Sequence, residues 1–68
     1  MGLPGTVKFY NPVRGFGFVS PDGGGPEVFV HASVLERRGW AHLLSGQRVL
    51  VRAESTVRGL AATDIGPL

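Results

Sequence analysis

Two short segments carry rings and a cation at spacings that could hold a flat, anionic ligand. In Arg14-Gly15-Phe16-Gly17-Phe18-Val19 the phenylalanines recur with a period of two. On a strand that sends Phe16 and Phe18 to one face and Gly17 and Val19 to the other. In Val28-Phe29-Val30-His31, the valines share one face and Phe29 and His31 the opposite one. If the rings pointed inward, the interior would receive three phenylalanines and a histidine, and Val28 and Val30 would face water. The valines are therefore assigned to the inside and the rings to the outside. A cluster of exposed rings on a small protein marks a binding surface. Lys8, Arg14, His31 and Arg58 are expected to flank it. Bases stack on rings and phosphates meet cations, so unpaired nucleic acid is the expected ligand.

Other chemistries fit the residues less well. The only histidines are His31 and His42 and there is no cysteine, whereas zinc sites want three or four such ligands. Neither a metal nor another cofactor is expected. Gly23-Gly24-Gly25 lacks the Lys-Ser/Thr and the following helix of a phosphate loop, and is read as a hairpin loop. No nucleophile–base pair or carboxylate dyad is apparent, and Asp64 and Glu54 are read as isolated, solvated acids. The chain is not expected to be an enzyme. A barrel of the SH3 type would need acidic neighbours around its aromatic groove, and these rings sit beside Lys8, Arg14 and Arg58.

The elements that must position the rings are short. Turn signals divide the 68 residues into strands near 5–11, 14–20, 27–31, 47–54 and 58–65. Asn11-Pro12, the run Pro21–Pro26 and Ser45-Gly46 supply turns. Ser33, with Glu36 three residues on, has capping-box spacing for one helical turn ended by Gly39, and Leu35, Leu43 or Leu44 would close the barrel. Trp40 is read as a partly exposed loop platform, because Trp is rarely fully buried. Arg37-Arg38 and Arg48/Arg52 are read first as ordinary solvated charge, with contact to nucleic acid as the alternative for each pair.

Composition agrees. The formal net charge is +2, and six of the seven cations are arginine, which pairs with phosphate and stacks on bases. Eleven glycines and five prolines suit tight turns between short strands. A hydrophobic share of 43% argues against disorder. The expectation is one all-β domain over residues 1–68, a five-stranded antiparallel barrel acting as a monomer. No apolar run approaches a membrane span and no signal segment is visible, so a cytoplasmic protein is expected.

Three segments resemble a known family. Gly5-Thr6-Val7-Lys8-Phe9-Tyr10-Asn11 is similar to the opening strand of cold-shock proteins. Arg14–Val19 resembles their first ribonucleoprotein motif and Val28-Phe29-Val30-His31-Ala32-Ser33 their second. The likeness covers residues 4–66. It implies an OB-fold barrel that binds single-stranded RNA or DNA and melts RNA secondary structure. By the motif match, Lys8, Phe9, Phe16, Phe18, Phe29 and His31 carry over as binding residues. Trp40 matches a loop aromatic and Arg58 a basic residue before the last strand. Phe9 stands where Trp is usual, Tyr10 where Phe is usual, and Ala32 replaces a frequent aromatic. Pro12-Val13 replaces a more polar turn. Strict alternation puts Phe9 on the face of Val7, so its place among the rings requires a bulge in the first strand.

Overall fold

A computed structural model describes residues 2–68. Five strands and one short helix follow in order: β1 Leu3–Asn11, β2 Phe16–Pro21, β3 Val28–His31, α1 Ala32–Arg37, β4 Arg48–Thr56 and β5 Gly59–Pro67. They close into a barrel in the order β1-β2-β3-β5-β4. Four of the five pairings are antiparallel, and β3 with β5 is parallel, through Val28↔Leu60 and Phe29↔Ala61. The expected barrel is present, with one parallel seam in it. Arg14 and Gly15, placed by their spacing at the start of the second strand, lie in the turn before Phe16.

Alternation of valine builds the interior. Val7, Val19, Val28, Val30, Val49, Val51 and Ile65 are each at most 1% exposed. β-branched side chains fit the half-buried pleat of a strand and lose little freedom there. Burying a valine fully stabilises the fold by about 1.5–3 kcal/mol, so these positions dominate the stability of a chain this short. Val34, Leu35 and Leu43 plug the barrel end, whereas Leu44 points to solvent. Tyr10, Trp40, Ala53, Leu60 and Ala62 pack against this core from its margin.

The helix is capped two residues earlier than its sequence signal indicates. His31, not Ser33, is the N-cap: its extended backbone ends β3, and its Nδ1 accepts the Ser33 amide at 3.1 Å. Ser33 already lies inside the helical turn and adds its hydroxyl to the same nitrogen at 3.0 Å. The far end closes as expected, at Gly39 with φ 73°, where the Trp40 amide donates back to the Leu35 carbonyl at 3.0 Å.

Candidate nucleic-acid interface

β1 is shared. Its first half pairs with β4, Leu3–Thr6 against Arg48–Val51, and its length from Gly5 onward pairs with β2. Between Val7↔Val19 and Phe9↔Phe18 the register slips by one residue, at Lys8. Val7 is buried before this bulge, while Lys8 and Phe9 are both exposed after it. One extra residue thus turns Phe9 from the face of Val7 to the face of Phe18.

Gly17 allows that turn. A Cβ at this position would stand 2.8 Å from the Tyr10 Cα and run into the Phe9 carbonyl oxygen. The bare face that Gly17 gives the second strand therefore admits the backbone of β1, not a ligand. The turn before β2 is tied by Asn11. Its Oδ1 accepts the amides of Val13 and Arg14 at 3.0 and 3.1 Å, and its carbonyl accepts the Gly15 amide at 2.7 Å.

The result is a continuous aromatic wall on β1, β2 and β3. Phe9 lies 5.7 Å from Phe18 and 6.3 Å from Phe16, centroid to centroid. Phe29 stacks on Phe16 at 5.8 Å with 26° between planes and meets Phe18 edge-on at 5.7 Å. Such pairs contribute about 0.5–1.5 kcal/mol each beyond area burial. The rings therefore brace one another while their outer surfaces stay wet: Phe9 is 40% exposed, and Phe16, Phe18 and Phe29 are half-buried. An open cleft of about 470 Å³ continues from the rings across the parallel seam, lined by Phe18, Phe29, Thr56, Arg58, Leu60 and Ala61.

The polar residues expected at this wall differ in how they are held. Arg58 borders the cleft from the β4–β5 hairpin. Arg14 stands exposed in the β1–β2 turn. His31 is exposed next to Phe16, its strand partner, with Nδ1 held by Ser33. Lys8 is engaged: its Nζ lies 3.0 Å from Glu27 Oε2. Trp40 stands apart, packed on the core margin, with no ring contact to the four phenylalanines among the described residues.

Sequence reading missed Glu27, Thr56, Leu60 and Ala61 at this surface. Leu60 and Ala61 come beside Phe29 only because β5 docks parallel to β3, and no local spacing signals that. Asp64 is not isolated either. Arg38 Nε and Nη2 donate to its two oxygens at 3.2 and 3.3 Å, and the Ile65 amide donates at 2.9 Å. The Arg38 hydrogen bonds first, then the Ile65 amide, hold this carboxyl below its ordinary value. Asp22 is likewise lowered by its hydrogen bonds to Arg48, whose own pKa rises in return.

Comparison with known proteins joins this geometry to a family. The profile of the 'Cold-shock' DNA-binding domain matches residues 3–68. The chain belongs to the cold-shock domain family. Among similar proteins, cold shock protein CspA of Rhizobium meliloti is 56% identical over 45 residues, covering 66% of this chain and 65% of that protein. Cold shock protein ScoF of Streptomyces coelicolor is 43% identical over 93% of this chain and 94% of its own length. Cold shock-like protein CspA of Vibrio cholerae is 39% identical over 97% of this chain and 94% of its own. Cold-shock domains bind nucleic acid, and the aromatic wall of this one carries both motifs through which its sequence resembles the family.

Proposed function

We propose that this cold-shock domain binds unpaired RNA or DNA by stacking successive bases on Phe9, Phe16, Phe18 and Phe29, with phosphates met by Arg14, Arg58 and Lys8. The observation that carries this reading is the bulge at Lys8, which brings Phe9 onto the same outer wall as the three rings of β2 and β3. Stacking contributes about 1–3 kcal/mol per base and tolerates most sequences. His31 edges the wall as a further ring and hydrogen-bond group. Trp40 extends it only for a strand that runs past α1.

Binding of this kind makes the domain a passive RNA chaperone. A protein that holds unpaired strands shifts hairpins toward the open form by mass action, with no need for a nucleotide cofactor. This is a binding module and not an enzyme, acting as a monomer in the cytoplasm. Among the described residues no helix is long and apolar enough to cross a membrane.

The test is titration of a fluorescent oligo-dT against the wild type and Phe18→Ala. The substitution should cost about 1–3 kcal/mol of affinity, with the thermal transition largely retained. Unchanged affinity in a folded variant, or unfolding with no separate binding defect, would overturn the reading.

A further inference from the structure

Positive charge on this protein is not confined to its aromatic wall. Lys8 is paired with Glu27, and Arg48 lies 2.6 Å from Asp22. Arg14 lies in the β1–β2 turn and Arg58 in the β4–β5 hairpin. Three further cations, Arg37, Arg38 and Arg52, belong to α1, its C-terminal turn and β4, with Glu36 and Glu54 near them in the chain and Asp64 paired to Arg38.

These three arginines and Asp64 are gathered on one surface. Arg52 on β4 is the strand partner of Asp64 on β5. Arg38, just after α1, reaches the same carboxylate through two nitrogens. Arg37 donates its Nη2 to the Thr63 carbonyl at 3.0 Å. A shallow groove of about 200 Å³ runs between Arg38, Arg52, Asp64 and Leu50, floored by Gly66. This surface lies on β4 and the second half of β5, and β4 is nowhere adjacent to β2 or β3 in the barrel.

The arginines are held without being used up. A guanidinium has five N–H donors in a planar fork suited to phosphate. Arg38 commits two of its nitrogens and Arg37 one, and the Arg52 guanidinium makes no hydrogen bond or ion pair among the described residues. Asp64 thus orients the cluster and leaves donors facing solvent. Paired with Arg38, it leaves the Arg52 guanidinium without a partner among the described residues.

We propose that Arg37, Arg38 and Arg52 form a second nucleic-acid contact, which takes the phosphate backbone of a second segment while the aromatic wall holds unpaired bases. The molecule measures 26 × 25 × 19 Å, so a long strand held on one wall brings its own flanking or folded-back segments within reach of the other. That intramolecular supply raises the effective concentration of the second segment and lets a weak contact count. The contact reads charge and not bases, so it accepts paired segments that the rings cannot stack on. It rests on the proposed function only for the identity of the first segment.

The experiment uses the full chain, with the aromatic wall first saturated by unlabelled oligo-dT. A labelled, blunt-ended DNA duplex is then titrated at low salt and read by anisotropy. The duplex should bind with oligo-dT still in place, and Phe18→Ala should leave duplex binding unchanged. Arg37→Ala/Arg52→Ala should weaken it about tenfold and reduce its salt slope by about two, close to one for each phosphate no longer neutralised. Arg37→Lys/Arg52→Lys should retain most of the binding, which separates charge from folding. Displacement of the duplex by oligo-dT, or equal duplex affinity in the alanine variant, overturns the second contact. So does binding of polyglutamate as tight as that of the duplex. Failure of oligo-dT itself to bind, with duplex binding intact and dependent on Arg37 and Arg52, would instead remove the proposed role of the rings.

Discussion

Lys8 and Glu27 show how one residue can set the strength of a surface. Lys8 stands at the bulge beside Phe9, yet its ammonium lies 3.0 Å from a carboxylate on the approach to β3. An exposed pair of this kind is worth little to stability, but Glu27 competes with a phosphate for the cation. Glu27→Gln should therefore raise oligo-dT affinity and steepen its salt slope by about 0.7, the increment for one more phosphate neutralised on a single strand. Titrations at two salt concentrations check this, and an unchanged slope would show that Lys8 is not available to the strand. The outward rings of Phe16, Phe18 and Phe29 are legible in the sequence because a two-residue period is local information. The Lys8–Glu27 pair is not, since it joins positions far apart in the chain that meet only across the sheet.

At the scale of elements, the bulge in β1 and the glycine in β2 are one device. Alternation alone puts Phe9 with Val7, and the family resemblance puts it with the other rings, so the two agree only if β1 slips. It slips at Lys8, where Gly17 leaves room for the displaced backbone. Gly17→Ala should cost about 1–3 kcal/mol by overpacking. In a domain of this size each kcal/mol lowers Tm by about 4–8 °C, so a thermal melt measures it. A melt superimposable on the wild type would mean that β1 can back away from β2 at no cost. The helix start departs from its sequence signal for a related reason. Ser33 and Glu36 have the spacing of a capping box, but β3 runs into α1 with no loop between them, and the last strand residue takes the cap.

For the whole molecule, the five strands and the valine interior follow from composition and turn signals, because a short chain has few ways to bury so many β-branched side chains. The parallel β3–β5 seam does not follow, since it depends on the route by which the chain returns after α1. Two exposed ion pairs lock parts of this barrel that are distant in sequence, Asp22–Arg48 and Asp64–Arg38. Both carboxyls titrate below their ordinary 3.8 in the folded protein. Their contribution is thus present above the unfolded value and is lost as pH falls through the lowered folded values. Acid should destabilise the wild type more than Asp22→Asn/Asp64→Asn over that interval, and added salt should narrow the difference. Denaturant melts across the acid range would reveal it, and parallel curves would deny these pairs a role.

His31 belongs to two structures at once. The imidazole that edges the aromatic wall also fastens the helical plug, since the Ser33 amide occupies its Nδ1. In the neutral ring that accepting role puts the proton on Nε2. The plug thus chooses the tautomer, and with it the kind of partner this nitrogen can greet, before any strand arrives. Replacing this side chain unpins the lid of the barrel and redraws the rim of the wall in a single stroke.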